Sequence, residues 1–412
     1  MTLEAFSQHP AHPWFDARDG ELVVGGRRIS EIVADAGRTP LYLYDRAVMR
    51  GKIEQLRTAL PAAIELHYAI KANPMPGVVR YMAGLVDGLD VASALELQVA
   101  LGTDIERTDI SFAGPGKSVA ELEQAVAAGI VINMESPVEM RRIAAIAART
   151  GHRPRVAVRV NPDFELKSSG MKMAGGAKQF GVDAEQVPAL LAELAALPLQ
   201  FWGFHIFSGS QNLRAEILVE AQQKSAALAI ELARGAPGPV RLLNLGGGFG
   251  IPYFPGEKTL DLTPIGANLR DLAPRIKAAL PEAHIVLELG RFLVGESGVY
   301  VCRVLDRKLS RGQVFLVTDG GLHHHLAASG NFGQVLRKNY PVLIANRIGG
   351  DAREVASVVG PLCTPLDLIA DRMELAQAQE GDLVAVFQSG AYGLSASPLG
   401  FLSHPAPLEL LL

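Results

Sequence analysis

Residues 110–150 read ISFAGPGKSVAELEQAVAAGIVINMESPVEMRRIAAIAART, and this stretch decides the fold. An apolar run, Ile110–Ala113, leads into ELEQAVAAG, whose apolar residues recur at helical spacing. A second run, Ile130–Asn133, leads into PVEMRRIAAIAART, which has the same spacing. Strand, helix, strand, helix is the βα unit of a parallel sheet. Working outward, similar runs lie at Glu65–Ala69, Gly88–Val91, Val156–Val160, Phe201–Ile206, Leu242–Leu245 and Ile285–Leu289. Stretches rich in Ala, Leu and Glu separate them. Eight βα units in succession predict an α/β fold, a (β/α)8 TIM-like barrel. An open doubly wound sheet is the alternative that the pattern leaves. After Arg291 the pattern changes. VGESGVYVCRVL, QVFLVTDGG, YPVLIAN, VASVVGP and DLVAVFQSGAYG are strand-like, with Gly and Pro between them. They predict a mainly β C-terminal domain. The segment before Thr39 contains GELVVGG and no barrel unit. The expected division is a barrel over 40–291 and a β domain built from 1–39 and 292–412.

The composition narrows the function. With 412 residues the chain can hold two domains. Its 49% apolar and 20% charged residues argue against disorder. Lys and Arg total 39 against 43 Asp and Glu, so no nucleic-acid groove or polybasic membrane patch is expected. Two cysteines, Cys302 and Cys363, exclude a disulfide scaffold and a four-cysteine zinc site, and suit a reducing compartment. The start, MTLEAFSQHP, lacks the pattern of a signal peptide, and no uninterrupted apolar run of about 18 residues occurs. A cytoplasmic chain without a membrane span is expected.

Barrel active sites stand at the C-terminal ends of the strands. The residues just past each run are Lys71, Ser93, Gly114, Glu135, Asn161, His205 with Ser208, the run Gly246, Gly247, Gly248, and Glu288 with Arg291. Lys71, in HYAIKANP, is either a solvated surface charge or a Schiff-base lysine, which needs an enclosed site. The glycines of LNLGGGFG match neither the dinucleotide fingerprint nor the P-loop, and suit either a tight turn or one phosphate monoester. In LELGRFLV, Glu288 and Arg291 are either a surface pair or a carboxylate facing a cationic ring nitrogen, with the Gly290–Arg291 backbone toward a phosphate. HIFSGSQN offers His205 to the face of a ring and Ser208 to a phosphate; a core histidine is the plainer alternative.

YAIKAN, DVAS with Glu96 beyond it, RVNP, FHIFSGSQ, LGGGFG, ELGR, GPLC and SGAY stand in the order found in fold-type III pyridoxal-phosphate decarboxylases. The chain resembles the diaminopimelate, ornithine and arginine decarboxylase group. The resemblance implies a barrel and β domain of the alanine racemase/decarboxylase type, pyridoxal 5'-phosphate as cofactor, and a head-to-tail homodimer with shared active sites. It implies Lys71 as the internal aldimine, His205 stacked on the pyridine ring and Glu288 at the ring nitrogen. It places Ser208, Gly248, Gly290, Arg291 and Tyr392 around the phosphate, with Asp90 and Arg159 in support. It makes Cys363 the residue that enters from the partner subunit and supplies the proton after carbon dioxide leaves. Cys302 reads as a buried structural thiol. An acid at 288 keeps the ring protonated as an electron sink, which favours decarboxylase over racemase. A racemase of the same fold and a non-catalytic cofactor-binding or regulatory protein are the alternatives.

Three departures bear on the substrate. Leu289 replaces the proline usual after the glutamate of ELGR. Thr364 stands where diaminopimelate and ornithine enzymes carry an acid for the distal amine. In DGGLHHHLAASGNFG, Ala327 or Ala328 stands where an arginine for the distal carboxylate is expected. Both distal anchors are missing, so free diaminopimelate, lysine and ornithine are not the expected substrates. An amino-acyl group tethered to a carrier protein has no free distal charge and fits the change. The C-terminal tail resembles the exosortase-associated branch. His323, His324 and His325 are neighbours whose side chains diverge on extended chain, so no metal is expected there. They suit substrate contact or loop packing, and Arg291, His324, Thr364 and Tyr392 are the expected substrate-facing residues.

Overall fold

The computed structural model describes residues 2–3, 9, 12–164, 171–172, 176–349 and 352–412. The chain divides into two compact units. One comprises Lys52–Gly250 and Leu260–Gly290; the other comprises Met1–Gly51, Ile251–Thr259 and Arg291–Leu412.

The first unit is the barrel. Its strands are β1 (Ile64–Ala69), β2 (Gly88–Val91), β3 (Ile110–Phe112), β4 (Val131–Met134), β5 (Arg155–Asn161), β6 (Gln200–His205), β7 (Leu242–Gly247) and β8 (His284–Leu289). Each pairs in parallel with the next, and β8 pairs back onto β1 from Ile285↔Ile64 to Leu289↔Tyr68. The ring is closed, which excludes the open sheet. Every expected run is a strand.

Local chemistry sets where strand gives way to helix. Ser93, Ser118 and Ser136 precede the helices Ala94–Leu101, Val119–Ala128 and Pro137–Thr150. Each serine side chain accepts the backbone N–H three residues on, that of Glu96, Glu121 or Glu139. Such a cap stabilises by about 1 kcal/mol, and the Ser-x-x-Glu spacing announces it in sequence. Gly129 and Gly151 end the second and third of these helices at φ +69° and +72°, where a side chain would be strained.

The interior is layered. Residues two apart on a strand share a face. Val131, Ala157, Leu242 and Val286 form one apolar cluster, with Trp202 against it. Two positions further along the same strands stand Asn133, Arg159, Asn244 and Glu288, all buried. An apolar layer is therefore followed, toward the C-terminal ends, by a polar one. At Gly203 a Cβ would lie 1.8 Å from the carbonyl oxygen of Leu242, so β6 could not approach β7 with any side chain there.

The second unit is mainly β. The 13-residue strand Gly298–Ser310 runs antiparallel to Leu41–Tyr44, Leu383–Val386 and Gln313–Thr318. The last strand, Leu408–Leu411, lies parallel to Leu41–Tyr44. The N-terminal strands His12–Arg18 and Glu21–Val24 and the helix Ile29–Ala36 belong to this unit. Their Phe15, Leu22, Val24 and Ile29 share one core with Val299, Val301 and Phe387. Among the described residues no helix is long and apolar enough to cross a membrane.

Candidate active site

Lys71 stands in the single turn Ile70–Ala72 that follows β1. Its Nζ donates to Glu288 Oε1 at 3.0 Å. The lysine side chain is 42% exposed and the glutamate side chain 3%, so an accessible amine rests on a buried carboxylate. His205 ends β6 and brings Nε2 to 3.1 Å from Glu288 Oε2. The approach does not meet hydrogen-bond geometry. Oε2 and both ring nitrogens of His205 lack a hydrogen-bond partner among the described residues. Burial pushes the Glu288 carboxyl up, but the Lys71 charge and the nearby His205 outweigh it and hold it well below the usual carboxylate range. Burial also pushes Glu96 up, against the Ala92 amide and the Lys71 charge.

The exits of β6, β7, β8 and β1 crowd one another. A Cβ on Gly248 would stand 2.2 Å from the Gly209 carbonyl oxygen, and one on Gly247 2.0 Å from that of Glu288. A Cβ on Gly290 would stand 2.9 Å from that of Ala72 beside Lys71. Gly246 has φ +71°. Close packing against neighbouring backbone, and at Gly290 against the Ala72 methyl, therefore requires this glycine set independently of any ligand. Ser208 Oγ, on the same rim, is buried and has no hydrogen-bond partner among the described residues.

Asp90, on β2, accepts from Ser111 Oγ, which accepts from Asn133 Nδ2 at 2.9 Å. Asp90 Oδ2 lies 3.6 Å from His67 Nδ1. Burial pulls the His67 ring down, but Asp90 and neighbouring carboxylates more than reverse it. Sequence reasoning missed His67. Its signal is Gly88 on the adjacent strand, where a Cβ would lie 2.4 Å from His67 Nε2. Arg159, on β5, donates to Glu135 Oε1 at 2.8 Å, and the Gly181 N–H donates to Oε2 at 3.1 Å. Burial pushes Glu135 up, but Arg159 and Lys117 hold it below its ordinary value. Lys117, also missed, is fully buried and donates to Glu139 Oε1 at 2.6 Å, Gly114 O at 2.8 Å and Asn133 O at 2.9 Å.

The remaining candidates belong to the β unit. Arg291 Nη1 donates to the Tyr253 hydroxyl at 2.8 Å, and its guanidinium lies 4.8 Å from the centre of the Tyr392 ring. Tyr392 has φ +52°, an unusual conformation for a bulky side chain. His323, His324 and His325 are all buried. Burial pushes them down to about 3, 4 and 3, so all three are neutral. Neutrality fixes the tautomers. His324 Nε2 donates to Pro405 O at 3.0 Å, leaving Nδ1 to accept from Tyr300 OH at 3.3 Å. His325 Nδ1 accepts from the Ala328 N–H at 3.2 Å, so Nε2 donates to Ser389 Oγ at 2.8 Å. The His323 and His324 rings are tilted against each other at 41°, with centres 3.7 Å apart. No group of three metal-ligating side chains occurs among the described residues. Cys363 is exposed, whereas Cys302 is buried and burial pushes its thiol well up. Thr364 is half-buried; Ala327 and Ala328 are buried.

Lys71, His205 and Glu288 are thus brought into contact, and Ser208, Gly246, Gly247, Gly248 and Gly290 gather on the same rim. Asp90 and Arg159 sit in polar contacts of the interior. Residues 46–295 match the family described as pyridoxal-dependent decarboxylase, pyridoxal binding domain. The chain is 38% identical over 379 residues to the L-glutamyl-[BtrI acyl-carrier protein] decarboxylase of Niallia circulans, covering 90% of this chain and 88% of that one. It is 32% identical to the diaminopimelate decarboxylase of Aquifex aeolicus, covering 94% and 89%. The crystal structure of diaminopimelate decarboxylase from Helicobacter pylori complexed with L-lysine superposes with a TM-score of 0.81 at 29% identity, covering 93% and 94%.

Proposed function

The chain belongs to the pyridoxal-dependent decarboxylase family, and from that premise we propose that it decarboxylates an amino-acyl group tethered to a carrier protein. That it is a pyridoxal-phosphate-dependent decarboxylase follows from the family and from relatives that are themselves decarboxylases. The tethered substrate is our reading. The observation that carries it is the uncharged loop of the β unit: three neutral histidines followed by buried Ala327 and Ala328, with Thr364 beside Cys363. Asp319 and Asp367, the acids near this loop, already accept backbone amides. A free distal ammonium would meet no unengaged carboxylate there, and burying it unpaired is costly. A relative at 38% identity acts on an L-glutamyl carrier protein, which supports the same choice.

The residues of the barrel fit the cofactor. Glu288 Oε2, Ser208 Oγ and the ring nitrogens of His205 are buried polar atoms without hydrogen-bond partners among the described residues, beside an accessible amine. Lys71 Nζ would be the covalent anchor, Glu288 would face the ring nitrogen, and His205 would lie against the ring. Ser208, Gly248 and Gly290 would take the phosphate, with Gly246 and Gly247 shaping that rim; Arg291 and Tyr392 are assigned to the cofactor on the resemblance, as are Asp90 and Arg159 in support. When bound, the cofactor supplies the electron sink that lets the bond to the α-carboxylate break. Glu288 contributes a carboxylate that stays ionised at neutral pH and so stabilises a protonated ring nitrogen. When carbon dioxide departs without the bonding pair, that pair must take up a proton. Cys363 gives it from Sγ, entering from the partner subunit of a homodimer, and the thiolate recovers a proton from water. Tyr392, Arg291 and Thr364 face the substrate in this reading, whereas His324, buried and with both ring nitrogens engaged by Tyr300 and Pro405, packs the loop instead.

The experiment is a carbon-dioxide release assay on the cofactor-loaded protein, with free amino acids in one series and carrier-loaded amino-acyl groups in the other. Release confined to a carrier-loaded group supports the proposal. Comparable release from free diaminopimelate overturns it.

A further inference from the structure

Cys363 is exposed on its own chain, so packing within that chain does not fix where its sulfur points. What fixes it is the backbone on either side. The N–H of Leu362, the residue before it, donates to Asp367 Oδ2 at 2.8 Å. The N–H of Thr364, the residue after it, donates to Leu362 O at 2.8 Å. Asp367 closes the same turn through its own backbone, donating to Thr364 O at 3.2 Å and accepting from Gly360 N at 3.1 Å. Its other carboxylate oxygen, Oδ1, accepts the N–H of Leu322 at 2.6 Å, one residue before the histidines. One buried carboxylate therefore holds two loops, the one that carries Cys363 and the one that carries His323.

The slot for that carboxylate is built from glycine. A Cβ on Gly321 would lie 2.2 Å from Oδ1, and one on Gly360 would lie 2.3 Å from Oδ2. Neither position admits a side chain while the carboxylate is in place. The carboxylate is also the side chain that suits the slot chemically. It accepts at both oxygens, whereas an amide of the same shape accepts at one end and presents N–H groups at the other. Asparagine would set a donor against one of the two backbone donors.

We propose that Asp367 is the positioning residue for Cys363, holding the thiol where it can deliver its proton and registering it against the histidine loop. The inference rests on the reading of Cys363 as proton donor. It predicts that loosening the clamp misdirects the proton without disturbing the cofactor. A proton delivered to the cofactor instead of to the substrate carbon leaves the amino group on the cofactor. Hydrolysis by water then releases an aldehyde in place of the amine.

The test uses the cofactor-loaded protein and three variants: Cys363→Ala, Asp367→Asn and Gly360→Ala. The last displaces the carboxylate from the other side, so the test survives if Asp367→Asn does not fold. Two readouts are taken. One is the ratio of aldehyde to amine product on an active substrate. The other, which needs no turnover, is the alkylation rate of Cys363, with buried Cys302 as the internal control. Cys363→Ala should raise the aldehyde share and sets the full effect. Asp367→Asn or Gly360→Ala should reach at least about half of that share, with kcat lowered about 10-fold and KM unchanged. The alkylation rate of Cys363 should change by about 3-fold or more in the same variant. A normal product ratio in Cys363→Ala removes the thiol from its role and the inference with it. An abnormal ratio there, with wild-type ratio and alkylation rate in folded Asp367→Asn or Gly360→Ala, overturns the inference alone.

Discussion

Glu288 in the barrel and His325 in the β unit are both buried titratable side chains, yet they are held in opposite charge states. Glu288 keeps its charge because Lys71 donates to it at 3.0 Å and His205 stands 3.1 Å away. His325 has only uncharged partners, Ser389 Oγ and the Ala328 amide, and burial pushes it down to about 3. Burial is common to both, so it is not what decides. The partner decides: a buried group with an opposite charge beside it stays ionised, and one among neutral dipoles is neutralised. The barrel thereby keeps a charged pair available for chemistry. The histidine loop offers shape and hydrogen bonds and no net charge.

The hardest blow to the charged side of this contrast is Lys71→Ala. It should abolish the visible absorbance of the bound cofactor and reduce carbon-dioxide release to background, with the circular dichroism of the fold retained. An unchanged spectrum would take Lys71 out of its role. Glu288→Gln keeps the shape and removes the charge. Turnover should fall about 10²- to 10³-fold, the scale of losing one preorganised electrostatic group. A smaller fall than about 10-fold would mean that the charge at 288 is not used.

Acid should separate the two regions. The folded pKa of His325, about 3, lies below its unfolded value of about 6.5. Below about pH 6.5 the unfolded chain binds a proton that the folded chain refuses, so stability falls with pH by about 1.4 kcal/mol per unit for such a group. His323 and His324, which face each other and His404, shift in the same direction. Glu288 is also depressed, but its contribution begins to be lost only below about pH 4.3, its unfolded value. Denaturant unfolding across this range should therefore show a first decline led by the histidines. In His325→Asn the slope between pH 6.5 and 5 should be shallower. An identical slope would show that His325 is not neutral in the folded chain. The smallest effect should come from Thr364→Asp, which puts a charge back beside the neutral loop. Release of carbon dioxide from free diamino acids should rise about 5-fold, the yield of a half-exposed ion pair of about 1 kcal/mol.

The barrel was legible because each strand is a short apolar run and three of its helices open with Ser-x-x-Glu. Both signals are local, and both act through the backbone. Lys71, His205 and Glu288 were legible because a strand exit is where a barrel places its chemistry. The polar interior layer was also written in the strands, as Asn133 two beyond Val131 and Glu288 two beyond Val286. His67, Lys117 and Asp367 were not legible. Each owes its place to partners on other elements: Asp90 for His67, Glu139 for Lys117, and Leu322 for Asp367. No spacing rule connects such pairs. The glycine run shows the converse difficulty. Gly246 to Gly248 read either as a turn or as a phosphate cradle, and the close approach of neighbouring backbone requires glycine there in any case.

The alternation inside the barrel has a consequence for how such a protein can change. Val131, Ala157, Leu242 and Val286 form a floor, and the reactive residues stand on the next storey of the same strands. A substitution on the upper storey leaves the floor's packing untouched, so new chemistry can be sampled there provided that the buried partners, such as Glu135 opposite Arg159, are not left unpaired. A single-residue insertion or deletion within a strand has no such freedom. It would exchange the inward and outward faces of everything beyond it, carrying floor and chemistry out of the barrel together. Variation in this enclosure is therefore expected to proceed by replacement at fixed length, with changes of length confined to the loops.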